Sequence, residues 1–495
     1  MIDEKILWDA AEKLRDKVDP ADYKNVILGL VFLKYVSDKY TNKYNELLKF
    51  NDGREKDIDE YKAENIFIVP EKAQWSYIAK NSKSNELGQI IDNAFDLLEK
   101  NNEQLQGILP KTYSKSELNK TALGELIDDF TNDLVLKEDD GDFFGQIYEF
   151  YIGAFAKYIP TKGGEFFTPK CVVELMVDLL EPFKGRVYDP CCGSGGMFVQ
   201  CSKFVKQHQG KIENISIFGQ ETNPGTWKMA KMNLAIRGIE GNLGNKNADS
   251  FTEDLHKNLK ADFILANPPY NLKEFKILDN DARWVFGLPN KKNANYAWLS
   301  LMCAKLSSNG KAAILMPNGA TTSNTKDDER VRKEMIDQNK VEAIIQLPNK
   351  LFTNVSLSVQ CWILNNNKHN KDILFIKVDD NIGKIITIST KPRKQIRILE
   401  QSDINKIVQT YKDFLNDNLV EIAGFSKKVS SKEIQENDYS LNPGRYVGID
   451  ESNKLSQEEI NIELNKLSNE LFELIKEGNE LEKKVKEILE KELNE

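Results

Sequence analysis

Apolar residues recur at helical spacing over residues 7–40 and again over 87–136, so the N-terminal part of the chain, residues 1–138, is expected to form a helical domain. Asp19-Pro20 marks a turn between two segments of the first stretch. The charged interval 51–81 reads as an irregular connection. After Asp139-Asp140-Gly141 the texture changes. Short β-rich runs at 186–188, 215–218, 263–265, 312–316, 341–347 and 359–364 alternate with helical intervals, the pattern of an α/β domain (139–454) with a largely parallel sheet. The later runs, ending at 373–378, lie closer together and are expected at an antiparallel edge. From residue 455 the pattern is a heptad. Ile460, Leu464, Leu467, Leu471, Leu474, Gly478, Leu481, Val485 and Ile488 follow 4-3-4-3 spacing and predict a coiled-coil helix over 455–495. Such a seam is not buried by one helix alone, so the tail is expected to pack on the body of the chain, on a twin or on a partner subunit.

Composition narrows the possibilities. With 495 residues, 40% hydrophobic and 29% charged, the chain is an ordinary globular mixture with room for two to four domains. No apolar run approaches the ~20 residues of a membrane span. The N-terminus carries no basic segment followed by an apolar one, so a cytoplasmic protein is expected. Six cysteines form no CxxC pair and three histidines are scattered, which leaves little support for a metal site and argues against histidine-dependent hydrolysis. Net charge is −9, and residues 455–495 alone carry twelve glutamates against six lysines, leaving the remainder near neutral. A local basic cleft therefore stays open.

Four short signals carry the chemistry. Asp189-Pro190-Cys191-Cys192-Gly193-Ser194-Gly195-Gly196 follows a strand candidate and precedes a helix. Its glycines let backbone approach a ligand closely, but it is neither the GxGxxG of dinucleotide binders nor a P-loop. Glu221 lies 32 residues after Asp189 at the end of the next strand, where a carboxylate can accept both hydroxyls of a ribose. Asp249, in Asn247-Ala248-Asp249-Ser250, is expected at the end of a further strand, either as an acceptor for an adenine amine or as a plain loop cap. Asn267-Pro268-Pro269-Tyr270 follows the 263–266 run. An amino group on a nucleobase is a poor nucleophile, because its lone pair is delocalised into the ring. The Asn267 side-chain oxygen and a proline carbonyl can grip both of its N–H bonds, and Tyr270 offers a face for stacking.

Together these residues resemble the motifs of S-adenosylmethionine-dependent amino-methyltransferases. Upstream, Glu165-Phe166-Phe167-Thr168-Pro169 resembles the F-x-T-P element of gamma-type adenine methyltransferases, and the motif order is the gamma order. Leu7-Trp8, the segments 28–38 and 144–156, Trp284 to Leu288, the NPGRYV of 442–447 and the acidic tail resemble the modification subunit of type I restriction-modification systems, over about residues 5 to 490. Cys191 and Cys192 stand where small residues such as alanine are frequent in that family.

The resemblance implies a Rossmann-like methyltransferase core with an N-terminal helical domain and a C-terminal heptad helix. It implies methyl transfer from S-adenosyl-L-methionine to adenine N6 of double-stranded DNA. The implied partners are a specificity subunit that reads the target, a second modification subunit and, for cleavage, a restriction subunit. Glu165, Phe166, Phe167, Thr168, Pro169 and Lys170 would close over the methionine part of the cofactor. Asp189 with Gly193, Ser194, Gly195 and Gly196 would hold its amino and carboxylate end. Glu221 would take the ribose and Asp249 the adenine. Asn267, Pro268, Pro269 and Tyr270 would receive the target base. Trp284, Lys291 and Lys292 would line the DNA side or be a buried aromatic beside a solvated loop. A protein-glutamine or ribosomal-RNA amino-methyltransferase, a self-sufficient restriction-methylation enzyme and a non-catalytic assembly protein remain the alternatives.

Overall fold

The structure is a computed structural model that describes residues 4–15, 20–115, 118–134, 143–158, 168–352, 358–390, 393–449 and 457–492. The expected roles of Glu165, Phe166 and Phe167 lie outside the described residues, as do Asp19 and the 139–141 boundary.

The N-terminal helices are α1 (Glu4–Arg15), α2 (Pro20–Leu48), α3 (Ile58–Lys62), α4 (Trp75–Lys80), α5 (Leu87–Asn101) and α6 (Lys120–Asp133). Helix α2 is apolar on every side around Leu28 to Leu33, and these side chains are buried all round it. Its Gly29 lies against Pro110 and Tyr113, where a Cβ would collide, and the Tyr113 hydroxyl donates to the Val26 carbonyl at 2.8 Å. The interval 87–136 is not one helical stretch. Asn102 turns the chain at its middle by exchanging two 2.9 Å hydrogen bonds with the Ile68 backbone. Gly107 then adopts φ +71° and Pro110 follows, which prevents helix from resuming before Asn119 caps α6. The 51–81 connection is irregular but holds α3 and α4.

The rest is α/β. It runs α7 (Phe143–Tyr158), α8 (Lys170–Leu180), β1 (Gly185–Asp189), α9 (Gly196–Gln207), β2 (Ile215–Gly219), α10 (Pro224–Ile236), β3 (Gly241–Asn242), β4 (Ala261–Ala266), α11 (Asn295–Lys305), β5 (Leu306–Pro317), α12 (Lys326–Asp337), β6 (Val341–Gln346), β7 (Val359–Asn365) and β8 (Ile373–Lys377). A separate hairpin of β9 (Lys384–Thr390) and β10 (Arg393–Ile398) precedes α13 (Gln401–Leu415), β11 (Ser426–Val429), α14 (Ser431–Glu436) and α15 (Gln457–Glu492). The main sheet has the order β11-β8-β6-β7-β5-β4-β1-β2-β3.

Strands β3, β2, β1, β4 and β5 are parallel, as the alternation of strands and helices predicts. The expected antiparallel edge is only partly there. Strand β11 is antiparallel to β8, but β7 is antiparallel between β5 and β6 in the interior, and β8 runs parallel to β6. Every residue of β7 is buried, which suits a strand covered on both faces. Along the strands, alternate residues enter two cores. Val187, Leu265 and Leu315 face α8, α9 and α10, and Tyr188, Ile264 and Ile314 face α11 and α12.

The first of these cores continues into the N-terminal helices. The Tyr151 hydroxyl on α7 donates to the Leu7 carbonyl at 2.7 Å, and the Tyr148 hydroxyl reaches the Met229 carbonyl on α10 at 3.3 Å. Helix α15 is different. Leu464, Leu467, Leu471, Leu474, Leu481 and Val485, all on the heptad seam, are each more than half exposed. No described helix is long and apolar enough to cross a membrane.

Candidate active site

Strands β1 and β4 are neighbours, yet the chain leaves β1 towards β2 and leaves β4 towards β5. That divergence opens a crevice at the carboxyl ends of the strands, the usual ligand position in such sheets. Asp189 ends β1, Glu221 follows β2 and Asn267 follows β4, so the sequence signals converge on this edge.

The glycine loop is shaped by its own backbone. Gly193 and Gly195 adopt φ of +54° and +79°, a left-handed conformation that glycine takes without strain, and Gly195 caps α9. Asp189 is buried and accepts the Cys191 N–H at 2.9 Å. Burial, reinforced by the nearby Glu221 charge, pushes its carboxyl up to about 7 against that stabilising hydrogen bond. Glu221 accepts the Gly193 N–H on one oxygen at 3.0 Å and the Asn223 N–H on the other at 2.8 Å. Its carboxylate is thus tied to the glycine loop. Asn233 on α10 donates to the Ser194 carbonyl at 2.7 Å, and Arg237 in turn bonds the Asn233 side chain.

Asp249 is not at a strand end. Strand β3 is only Gly241–Asn242, and the glycines and asparagines between Gly241 and Asn247 favour turns over a ladder. Asp249 sits in the loop beyond, where its Oδ1 accepts the Phe251 N–H at 2.9 Å. The loop is tied to the crevice all the same. The Ala248 N–H donates to the Glu221 carbonyl at 2.9 Å, and the Ser250 hydroxyl donates to the Pro190 carbonyl at 2.5 Å.

On the β4 side, Asn267 donates from Nδ2 to Thr168 Oγ1 at 2.8 Å. Its Oδ1 accepts the Tyr270 hydroxyl at 2.6 Å. Tyr270 is half-buried, and burial holds its hydroxyl far above the ordinary tyrosine range, so the ring hydroxyl stays protonated. Thr168 also lines a cleft, ≈ 360 Å³ counted with the solvent at its mouth, whose polar lining is Lys170, Ser194, Gln200, Asn233 and Glu149 and whose apolar lining includes Ile152, Val173 and Val199. Thr168 therefore ties the Asn267 loop to the cleft that Ser194 and Gly196 of the glycine loop also line. Pro169 precedes α8, and Lys170 opens it within 3.6 Å of Glu174.

The sequence did not single out Gln200. Its side chain is 7% exposed, lines the cleft and has an Nε2 with no hydrogen-bond partner. Buried amides are nearly always partnered, so an orphaned donor beside a cleft marks space for an acceptor. Trp284 is buried, with its indole N–H on the Leu278 carbonyl at 2.7 Å, while Lys291 and Lys292 are exposed, so the aromatic belongs to the core. Among the described residues no group of three or more His, Cys, Asp or Glu side chains is arranged to hold a metal ion.

The chain is similar in sequence to two profiled families. N-6 DNA methylases match over residues 139–455 and the HsdM N-terminal domain over 4–130. The HindI type I restriction enzyme methylase subunit of Haemophilus influenzae is 40% identical over 405 residues, 77% of this chain and 90% of its own length. The MjaIX type I methylase subunit of Methanocaldococcus jannaschii is 34% identical over 98% of this chain and 90% of its own. Among solved structures, the type I restriction-modification methyltransferase subunit from Streptococcus thermophilus superposes with a TM-score of 0.77 at 26% identity, covering 90% of this chain and 98% of that one.

Proposed function

Since this chain belongs to the N-6 DNA methylase family and is a methylase subunit of a type I restriction-modification system, an adenine-N6 DNA methyltransferase, we propose which of its residues carry the reaction. The observation that carries the reading is the hydrogen bond from Asn267 to Thr168, which joins the base-side loop to the cleft beside the glycine loop.

The crevice fits S-adenosyl-L-methionine by the chemistry of its lining. The cleft beside Ser194, Gly196 and the start of α9 suits the carboxylate end, with the orphaned Gln200 amide and Lys170 as donors and the positive end of the α9 dipole behind them. Ionised Asp189 suits the amino group. Glu221, whose two oxygens accept the Gly193 and Asn223 N–H groups, is the carboxylate for the ribose hydroxyls. Asp249 has Oδ2 to offer the adenine amine while Oδ1 holds the loop. When bound, the cofactor supplies a methyl group made electrophilic by its sulfonium.

The protein's contribution is positioning and electrostatics. The target adenine must leave the duplex to be reached. Asn267 Oδ1 and the Pro268 carbonyl accept the two N–H bonds of its amine, so the nitrogen lone pair is released from the ring towards the methyl. Pro268 and Pro269 fix the backbone and bring no competing N–H. Tyr270 stacks on the base. Residues 1–138, 139–454 and 455–495 are taken as the helical, catalytic and assembly domains. Target choice falls to a specificity subunit, with a second methylase subunit and a restriction subunit completing a cytoplasmic complex.

Labelled cofactor and DNA supplied to the wild type and to Asn267→Ala, with and without the specificity subunit, test this. The expected label lies on adenine N6, with the partner only and in the wild type only. Label on protein or RNA instead would overturn the reading.

A further inference from the structure

The segment 271–294, between the Asn267 loop and α11, carries a side chain that the reaction as described does not use. Arg283 lies 32 residues beyond Phe251 in the chain but grips its backbone. Its Nη1 donates to the Ser250 carbonyl at 2.6 Å and its Nη2 to the Phe251 carbonyl at 2.7 Å. Its Nε bonds both oxygens of Asp281 at 3.0 and 2.9 Å, and Nη2 bonds Asp281 again at 2.5 Å. Its side chain is 13% exposed.

The support around it is built of opposite charges. Asp254 stands 3.8 Å from Arg283 and 2.5 Å from Lys305, and Lys305 also donates to the His256 carbonyl at 2.6 Å. His256 reaches the Gly219 carbonyl at 2.8 Å. Two carboxylates and two cations thus form a neutral, mostly buried group beneath the loop. The two carbonyls held by Arg283 belong to the residues that turn the chain directly after Asp249. The Phe251 N–H is the donor that fixes Asp249 Oδ1, and its ring packs on Trp298 at 4.2 Å between centroids.

From this geometry we propose that Arg283 is a positioning residue that aims Asp249 at the cofactor adenine. The proposal rests on the reading of Asp249 given above. A planar guanidinium spans two successive carbonyls and a carboxylate at once, which the single nitrogen of lysine does not. Arg283→Lys keeps the charge and loses the span.

The experiment uses the full chain assembled with its specificity subunit and measures affinity for S-adenosylhomocysteine and S-inosylhomocysteine. The second carries an oxygen where adenine carries its amine. The wild type is expected to prefer the adenosyl compound by about tenfold or more, from one hydrogen bond to a charged acceptor. In Arg283→Lys that preference is expected to fall towards one while thermal unfolding stays cooperative. A structural defect alone would lower the active fraction and leave the preference intact. Asp281→Asn, which loosens the arginine without removing it, is expected to lower the preference by a smaller factor and serves if the lysine variant does not fold. A wild-type preference that persists undiminished in both variants overturns the role of Arg283. Absence of the preference in the wild type instead overturns the role of Asp249.

Discussion

Tyr270 donates its hydroxyl proton to Asn267 Oδ1, so the oxygen that would accept the target amine is engaged before a base arrives. An amide oxygen has two lone pairs, so the target amine would share this oxygen with the hydroxyl and be held less firmly by it. Tyr270→Phe removes the competing bond and keeps the ring. It is expected to retain kcat within about threefold and to lower KM for DNA, since a single hydrogen bond of this kind is worth about 1 kcal/mol. Tyr270→Ala loses stacking worth about 1–3 kcal/mol and is expected to raise KM by about ten- to a hundredfold. Steady-state methyl transfer measures both, and equal damage in the two variants would contradict the account.

Asn267 is held on its other side by Thr168. Asn267→Ala is expected to lower kcat by about a hundredfold or more, the usual loss for a preorganised polar group in the transition state, while cofactor affinity stays within a few fold. Thr168→Val leaves the asparagine in place without its anchor. A loss of about tenfold in kcat is expected, together with weaker cofactor binding because Thr168 also lines the cleft. Calorimetric titration separates the binding effect from the chemical one.

The raised value of Asp189 sets a pH dependence. In the free protein the folded-state value, about 7, exceeds the ordinary 3.8. This group therefore disfavours the native state above pH 7, and the penalty is progressively relieved as pH falls from about 7 towards 3.8. A bound ammonium prefers the ionised form, so cofactor affinity is expected to weaken by about tenfold per pH unit below 7 and to level off above it. Asp189→Asn is expected to bind weakly with no such slope. A wild-type profile that is flat between pH 5.5 and 8 would refute the assignment.

The heptad seam of α15 faces solvent. Removing residues 455–495 is expected to leave the unfolding temperature of the remaining chain within about 2 °C, because an exposed helix contributes little burial, and to reduce assembly with the specificity subunit. Undiminished co-purification would rule out the tail as an assembly element.

Much of this was legible because local pattern and final environment agree. The apolar runs around Val187, Ile217, Ile264 and Ile314 are strands, and the glycine loop, Glu221 and Asn267 directly follow β1, β2 and β4 as the spacing of these runs implies. The failures have physical causes. The position of β7 between β5 and β6 is a long-range choice that spacing does not encode. Asp249 is expected at the end of a strand, but it lies in a loop whose place is fixed by the Glu221 and Pro190 carbonyls, which are distant in sequence. Gln200 reads as one more polar residue on a helix until α7, α8 and α10 close around it. Arg283 carries no signal in the sequence, because its partners at 250 and 251 are brought to it only by the fold.

Strand β7 is synthesised after both strands it separates. Until residue 365 has been made, β5 has one unpaired side and β6 has no strand that links it to β5. The catalytic crevice borders that unfinished half of the sheet. A chain that ended between β6 and β7 would hold both outer strands without the one that joins them, so the far half of the sheet depends on residues 359–365.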